Sequence, residues 1–174
     1  DAMVHAIEAY CVPGFHPMCD GIALEGLRLI NTWLSTAVND PGNITARGGM
    51  LTGSCLAGIS FLKGLGLVHA ISHMVGAEYD THHGLTNAIV LPAVLKFNAD
   101  AIADKVPQMA ESMRLKDKSF DGFYGAVCEI LDNLQIPKTL ADIGVPIDCV
   151  VSIAEKAIQD SAAGTNPKQA SVAE

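Results

Sequence analysis

The sequence predicts an all-α helical bundle that forms a single domain. Apolar residues recur at three- and four-residue spacing over long segments, as expected for helices that bury one face. No segment shows the strict alternation of apolar and polar residues that is typical of a strand. Hydrophobic residues make up 49% of the 174 residues but aromatic residues only 5%, and there are 16 glycines. This composition indicates closely packed helices with small residues at their contacts.

The first half of the chain contains three predicted helices. The first covers residues 1–11 and ends at Pro13 and Gly14, where the backbone loses a donor and gains freedom. The second covers residues 17–38 and is followed by a strong turn signal at residues 39–42. Asn43 is the expected cap of a third helix that runs to Phe61. Small residues on this helix predict the close approach of a neighbour: Gly48, Gly49, Gly53, Ala57 and Gly58.

Glycines divide the middle of the chain. Gly64 and Gly66 are predicted to interrupt the backbone before a helical segment that contains His69 and His73, and Gly76 is predicted to end that segment. After Gly84 a further apolar helix continues to residue 97, with a kink or an early restart expected at Pro92.

The last third of the chain alternates helices and links. Residues 99–114 are predicted to form one helix, and Ser119 is expected to cap an amphipathic helix that runs to residue 134. An irregular connection at residues 140–145 precedes a helix that Pro146 opens in its first turn. From Asn166 the sequence is typical of the cap and first turn of a helix that is then cut off. Because there is also no initiator methionine, we expect a fragment truncated at both ends.

Charge and cysteine content exclude several classes of protein. The formal net charge is −8 and the pI is about 5.1, which argues against a nucleic-acid partner or an anionic membrane surface. Residues 51–77 have the length of a membrane span, but Lys63, His69 and His73 interrupt it, so no membrane partner is expected. The five cysteines form no C-x-x-C pair. Reduced cysteines in a cytoplasmic protein are therefore expected.

Histidines carry the strongest chemical signal. His69 and His73 are four residues apart on a predicted helix, so both project from one face, and His83 follows shortly after. Asp1 and His5 repeat the same spacing at the start of the chain. Such nitrogen and oxygen ligands are sufficient for a first-row metal ion. Spacing alone leaves two interpretations open, a metal site or hydrogen-bonded packing residues, and the latter is assigned to the isolated His16.

Two motifs identify a resemblance to a known family. The run Gly66-Leu-Val-His69-Ala-Ile-Ser-His73, continued by Asp80-Thr-His-His83-Gly84-Leu-Thr-Asn87, occurs together with Asp1-Ala-Met-Val-His5-Ala-Ile-Glu8. Both closely resemble the C-terminal helical domain of iron-containing (group III) alcohol dehydrogenases, and the resemblance extends over nearly the whole chain. Met74 and His82 stand where many members have proline, but neither matches a ligand.

The resemblance implies a set of site residues. The metal is expected to bind to Asp1, His5, His69 and His83, with Fe²⁺ as the family metal and Zn²⁺ suited to the same ligands. His73 is implied to lie beside the nicotinamide of NAD or NADP and the substrate, and to transfer a proton. Phe61 matches a residue near the nicotinamide.

The resemblance also implies partners. The substrate is expected to be a small alcohol or aldehyde, and the enzyme is expected to be a homo-oligomer. The family's N-terminal nucleotide-binding domain has no counterpart in this sequence, so we expect the chain alone to be inactive and to expose Phe61, Leu65 and the surroundings of His73. Two alternatives are a zinc enzyme of the glycerol dehydrogenase or dehydroquinate synthase type and a non-catalytic helical interaction domain.

Overall fold

The computed structural model describes residues 1–174 as helices and turns, with no β-strand. This confirms the predicted all-α class. The α-helices are α1 Ala2–Cys11, α2 Pro17–Asn39, α3 Ile44–Ser60, α4 Leu67–Tyr79, α5 His83–Asn98, α6 Val106–Ser112, α7 Phe120–Asn133 and α8 Val150–Ala157. Short 3₁₀ segments are Phe61–Lys63, Ala99–Ile102, Leu140–Ile143, Ile147–Cys149 and Ala163–Thr165.

Side-chain caps mark the starts of four of the eight α-helices. Asn43 accepts a hydrogen bond from the Ala46 amide at 3.0 Å, and Ser119 accepts one from the Gly122 amide at 3.1 Å, so both predicted caps are confirmed. Two histidines also act as caps, because the Nδ1 atoms of His16 and His82 accept hydrogen bonds from the amides three residues later. These two histidines therefore begin α2 and α5.

Helices α2 and α3 lie unusually close together. A Cβ atom added to Gly26 of α2 would lie 3.1 Å from the backbone nitrogen of Ala57 and 3.1 Å from the backbone oxygen of Gly53. A Cβ atom on Gly49 would lie only 2.2 Å from the Trp33 ring. The predicted close approach is thus confirmed at these small residues of α3. Gly48 and Gly58 instead have no neighbour within 4 Å of a Cβ position.

The core is built around α1, most of whose residues are buried. This helix contacts α2, α3 and α5. Ile7 of α1, Val68 of α4 and Phe123 of α7 belong to one cluster of 25 buried apolar residues, and none of these three side chains is more than 1% exposed. The start of α1 is thereby held next to the starts of α4 and α5, and this is what builds the site described below.

The predicted break at Gly76 is wrong in position, and the predicted restart at Pro92 does not occur. Helix α4 continues through Gly76 to Tyr79, and its C-cap residue Asp80 has a left-handed φ of 52°. The glycine costs about 1 kcal/mol of helix propensity, which the buried neighbour Val75 offsets by packing in the core. Helix α5 continues through Pro92 from His83 to Asn98, so the helix does not restart there.

Three predictions in the last third need correction. Residues 99–114 are not one helix: a 3₁₀ segment and a turn precede α6, which restarts where Pro107 can occupy the first turn. Pro146 precedes a 3₁₀ turn, Ile147–Cys149, and the last α-helix begins only after that turn, at Val150. Asn166 begins no helix of its own. Its buried Oδ1 accepts from the Leu67 amide and from Asn98 Nδ2, so the C-terminal segment is hydrogen-bonded to α4 and α5.

One helical run is apolar and long enough to cross a membrane by length and composition. It covers His83–Ile102, and half of this apolar stretch is buried inside the protein. The bent pair of α3 and α4 passes the same test only if it is counted as one span. Core helices pass this test as well, so the observation is weak evidence for a span.

Candidate metal centre

The four predicted metal ligands all lie at helix N-termini. Asp1 is the N-cap residue of α1, and His5 lies in the first turn of that helix. His69 lies in the first turn of α4, and His83 is the first residue of α5. Because α1 is packed against the helices that carry the other ligands, these three helix starts converge.

Three of the predicted ligands converge on a common point. Oδ1 of Asp1 lies 3.5 Å from Nε2 of His69 and 3.4 Å from Nε2 of His83. The donor atoms of all three residues lie within 4.8 Å of one another. Ligands that bind a cation at about 2.1 Å with tetrahedral angles are about 3.4 Å apart. The two distances from the Asp1 carboxylate match this value. One oxygen donor and two nitrogen donors also suit a first-row divalent cation.

His5 lies beside these donors but is not one of the converging three. Its Nδ1 is 3.6 Å from Oδ2 of Asp1. Its ring stacks on His69, with centroids 4.5 Å apart, and on Phe61, with centroids 5.1 Å apart. Burial, and next the charge of neighbouring imidazoles, lower the pKa of His5 to about 4.

The pKa of His83 is lowered by the same two causes, burial first. A lowered pKa keeps an imidazole neutral near pH 7, and only the neutral ring has a lone pair for a metal ion. The electrostatics of both rings therefore favour metal binding.

A buried carboxylate orients His69. Oε2 of Glu8 lies 2.6 Å from Nδ1 of His69, and Oε1 accepts from the Val68 amide at 2.7 Å. Both side chains are almost fully buried. A carboxylate can only accept at this distance, so Nδ1 carries the proton and Nε2 presents its lone pair to the other donors. No role was predicted for Glu8. It belongs to the motif that carries the family resemblance and lies close after His5, and this position is the feature of the sequence that could have indicated its role.

Asn87 is a second residue of the site without a predicted role. It is fully buried on α5, one turn after His83. Its Nδ2 atom lies 2.8 Å from Oδ1 of Asp1, 3.2 Å from Nε2 of His69 and 3.1 Å from Nε2 of His83. Asn87 therefore contacts all three converging donor atoms.

His73 lies at the edge of the cluster. Its ring stacks on His83 with a centroid distance of 5.7 Å, and 40% of its side chain is exposed. Its Nδ1 lies 3.1 Å from Oδ2 of Asp160, a residue 87 positions later in the chain. Phe61 is 40% exposed nearby, whereas Leu65 is half-buried. The exposed surface thus includes Phe61 and His73, and Leu65 only in part.

Comparisons with known proteins match the whole chain. The family model described as Fe-containing alcohol dehydrogenase family, C-terminal, covers residues 1–174. The chain is 35% identical over 173 residues to the probable alcohol dehydrogenase EutG of Escherichia coli (strain K12), a match that covers 99% of this chain and 44% of that protein. It is 37% identical over 183 residues to 4-hydroxybutyrate dehydrogenase of Cupriavidus necator, a match that covers 100% of this chain and 47% of that protein.

Solved structures share the fold. The crystal structure of a 1,3-propanediol oxidoreductase superimposes with a TM-score of 0.95 at 34% identity, over 99% of this chain and 47% of that one. An iron-containing alcohol dehydrogenase from Thermococcus thioreducens gives a TM-score of 0.90 at 30% identity, over 100% of this chain and 46% of that one. The chain spans less than half the length of these relatives. It belongs to the iron-containing alcohol dehydrogenase family, of which it represents the C-terminal domain.

Proposed function

We propose that this chain is the metal-binding catalytic domain of an NAD(P)-linked alcohol dehydrogenase, which oxidises an alcohol to an aldehyde or ketone, or catalyses the reverse reaction. The observation that carries the proposal is the convergence of Asp1, His69 and His83 at the spacing of metal ligands. Family membership supports it, since relatives include proteins named as a methanol dehydrogenase and a 1,3-propanediol dehydrogenase.

Asp1, His69 and His83 would hold the cation, and His5 is the proposed fourth ligand. One carboxylate and three neutral imidazoles suit Fe²⁺, and Zn²⁺ accepts the same set. When bound, the cation supplies Lewis acidity that polarises the carbon–oxygen bond of the substrate. Glu8 holds the His69 ring in the orientation and tautomer that this requires.

His73 is the proposed proton carrier. Its Nδ1 is engaged by Asp160, so Nε2 is the ring nitrogen that can take a proton from an alcohol or return it to an aldehyde. Its partial exposure leaves it accessible to substrate. Phe61 and His73 are the residues of this chain that would face the nicotinamide, which supplies the hydride acceptor.

Metal analysis tests the proposal directly. The chain is purified anaerobically, and its iron and zinc are measured against protein. Near-stoichiometric metal supports the site, and zinc without iron would favour the zinc-dependent branch. No metal at any loading would leave a helical interaction domain as the better description.

His69→Ala should abolish metal binding, whereas the control His16→Ala, which alters an exposed capping histidine of α2, should retain it. Alcohol oxidation is then assayed in a longer protein, which also contains the part of the relatives' length that this chain does not cover.

A further inference from the structure

The start of α4 is capped by distant parts of the chain. Its N-cap residue is Gly66, which has no side chain, although the first amides of a helix need acceptors from outside the helix. Three amides at this start donate to side chains far away in the sequence, in the pairs Leu65 with Thr165, Leu67 with Asn166, and Val68 with Glu8. Two of these acceptors are neighbours near the C-terminus, so that segment takes the place of a local cap.

The carboxamide of Asn166 uses its full hydrogen-bonding capacity. Its Oδ1 atom accepts from the Leu67 amide at 3.1 Å and from Asn98 Nδ2 at 3.0 Å. Its Nδ2 atom donates to Asn98 Oδ1 at 2.8 Å and to the Lys168 carbonyl at 2.6 Å. Asn166 is also buried. A buried network in which every group is paired holds its members in one arrangement, so the Leu67 amide is held in one place.

Two glycines allow this contact. A Cβ atom added to Gly64 would lie 2.8 Å from Oγ1 of Thr165, and a Cβ atom added to Gly66 would lie 2.8 Å from Oδ1 of Asn166. Gly64 also has a φ of 132°, which favours glycine. Larger residues at these two positions would push the C-terminal segment away from the start of α4.

The turn that is held in this way carries the candidate ligand His69, two residues after Leu67. Glu8 orients the ring of His69, because its Oε2 atom lies 2.6 Å from Nδ1. Thr165 and Asn166 instead hold the backbone from which the ring projects. A buried amide without an acceptor is unfavourable. Loss of Asn166 Oδ1 would therefore displace the first turn of α4 toward another acceptor, and the ring of His69 would move with it.

We propose that Thr165 and Asn166 are positioning residues of the metal centre. They fix the first turn of α4, and through it the place of His69 relative to the donor atoms on α1 and α5. The same C-terminal segment contacts α4 again through Asp160, which lies 3.1 Å from His73. Residues 160–166 therefore hold both functional histidines of α4. The inference rests on the proposed function, because it requires that His69 binds a cation.

Two alanine variants separate positioning from stability. Asn166→Ala and Asn98→Ala both break the paired carboxamides, but only Asn166→Ala removes the acceptor of the Leu67 amide. Urea unfolding in a chelator should show a lower midpoint for both variants. Competition with a chromophoric chelator should show Zn²⁺ binding about 3- to 10-fold weaker in Asn166→Ala, the fold-change that corresponds to one neutral hydrogen bond. Asn98→Ala should keep the wild-type affinity.

Bound Co²⁺ reports the geometry of the centre, because its visible absorption depends on the arrangement of its ligands. The spectrum should change in Asn166→Ala and stay that of the wild type in Asn98→Ala. Thr165→Val, which removes the acceptor of the Leu65 amide at nearly constant size, should weaken Zn²⁺ binding by about 3-fold.

Wild-type affinity and an unchanged Co²⁺ spectrum in folded Asn166→Ala would overturn the inference, and so would an equal loss of affinity in Asn98→Ala. If Asn166→Ala does not fold, wild-type affinity in Thr165→Val overturns it. No Zn²⁺ binding by the wild-type chain would instead refute the proposed function, and this inference with it.

Discussion

Replacing Glu8 with glutamine should weaken metal binding while leaving the fold largely intact. The carboxylate accepts two hydrogen bonds, at 2.6 Å from His69 Nδ1 and at 2.7 Å from the Val68 amide. Glutamine has a single side-chain oxygen, so it can accept only one of them, and its NH₂ group must face the other donor. In Glu8→Gln the His69 ring is therefore free to change its orientation or its tautomer.

The expected size of the effect follows from the lost hydrogen bond. A hydrogen bond to a charged group contributes about 1.5–3 kcal/mol. At about 1.4 kcal/mol for each factor of ten, this corresponds to about a 10- to 100-fold loss of affinity. Residues that support metal ligands in other proteins have effects of the same scale, about 10- to 100-fold. The free energy of unfolding in a chelator should also fall, by about 1–3 kcal/mol.

Competition with a chromophoric chelator measures the affinity for Zn²⁺, and urea unfolding with a chelator measures stability. The matched control is Glu25→Gln, because the Glu25 carboxylate also accepts two hydrogen bonds but does so on the surface, from Arg28. This control should keep the affinity of the wild type. If folded Glu8→Gln binds Zn²⁺ as tightly as the wild type, the buried carboxylate does not orient a metal ligand and the reasoning is wrong.

Further predictions concern pH, proton transfer and packing. The pKa of His5 falls from 6.5 to about 4 on folding, so the unfolded chain takes up the proton first as the pH is lowered. Urea unfolding in a chelator should therefore show about 1–2 kcal/mol less stability at pH 5 than at pH 7, after allowance for solvent screening. The His5→Gln variant should show a smaller difference between these two pH values. In the longer protein, His73→Ala should keep its metal and lose about 10²- to 10⁴-fold in turnover, and equal metal loss in this variant and in His69→Ala would contradict that role. Gly26→Ala should lower the urea midpoint by overpacking, at a cost of about 1–3 kcal/mol, whereas Gly21→Ala, with no neighbour within 4 Å, should raise it.

Local signals in the sequence were sufficient for most helices. Asn43 and Ser119 cap the helices they were expected to begin, because a cap depends only on residues three positions apart. Such signals failed where packing overrides propensity, as at Gly76, which lies inside α4. They also failed at Asn166, whose partners lie on α4 and α5 rather than in its own segment.

By itself, the sequence determined the all-α class, the pairing of Asp1 with His5 and of His69 with His73 on common helix faces, and the resemblance that names the candidate ligands. Only the tertiary structure decided which donor atoms meet. Glu8 and His69 are 61 residues apart, Asp1 and Asn87 are 86 apart, and His73 and Asp160 are 87 apart. Spacing along a helix decides which side chains share a face, but the partners of that face depend on how α1 packs among the other helices. That packing arises from burial of apolar surface, which has no preferred direction along the chain and therefore leaves no local signal for these polar contacts.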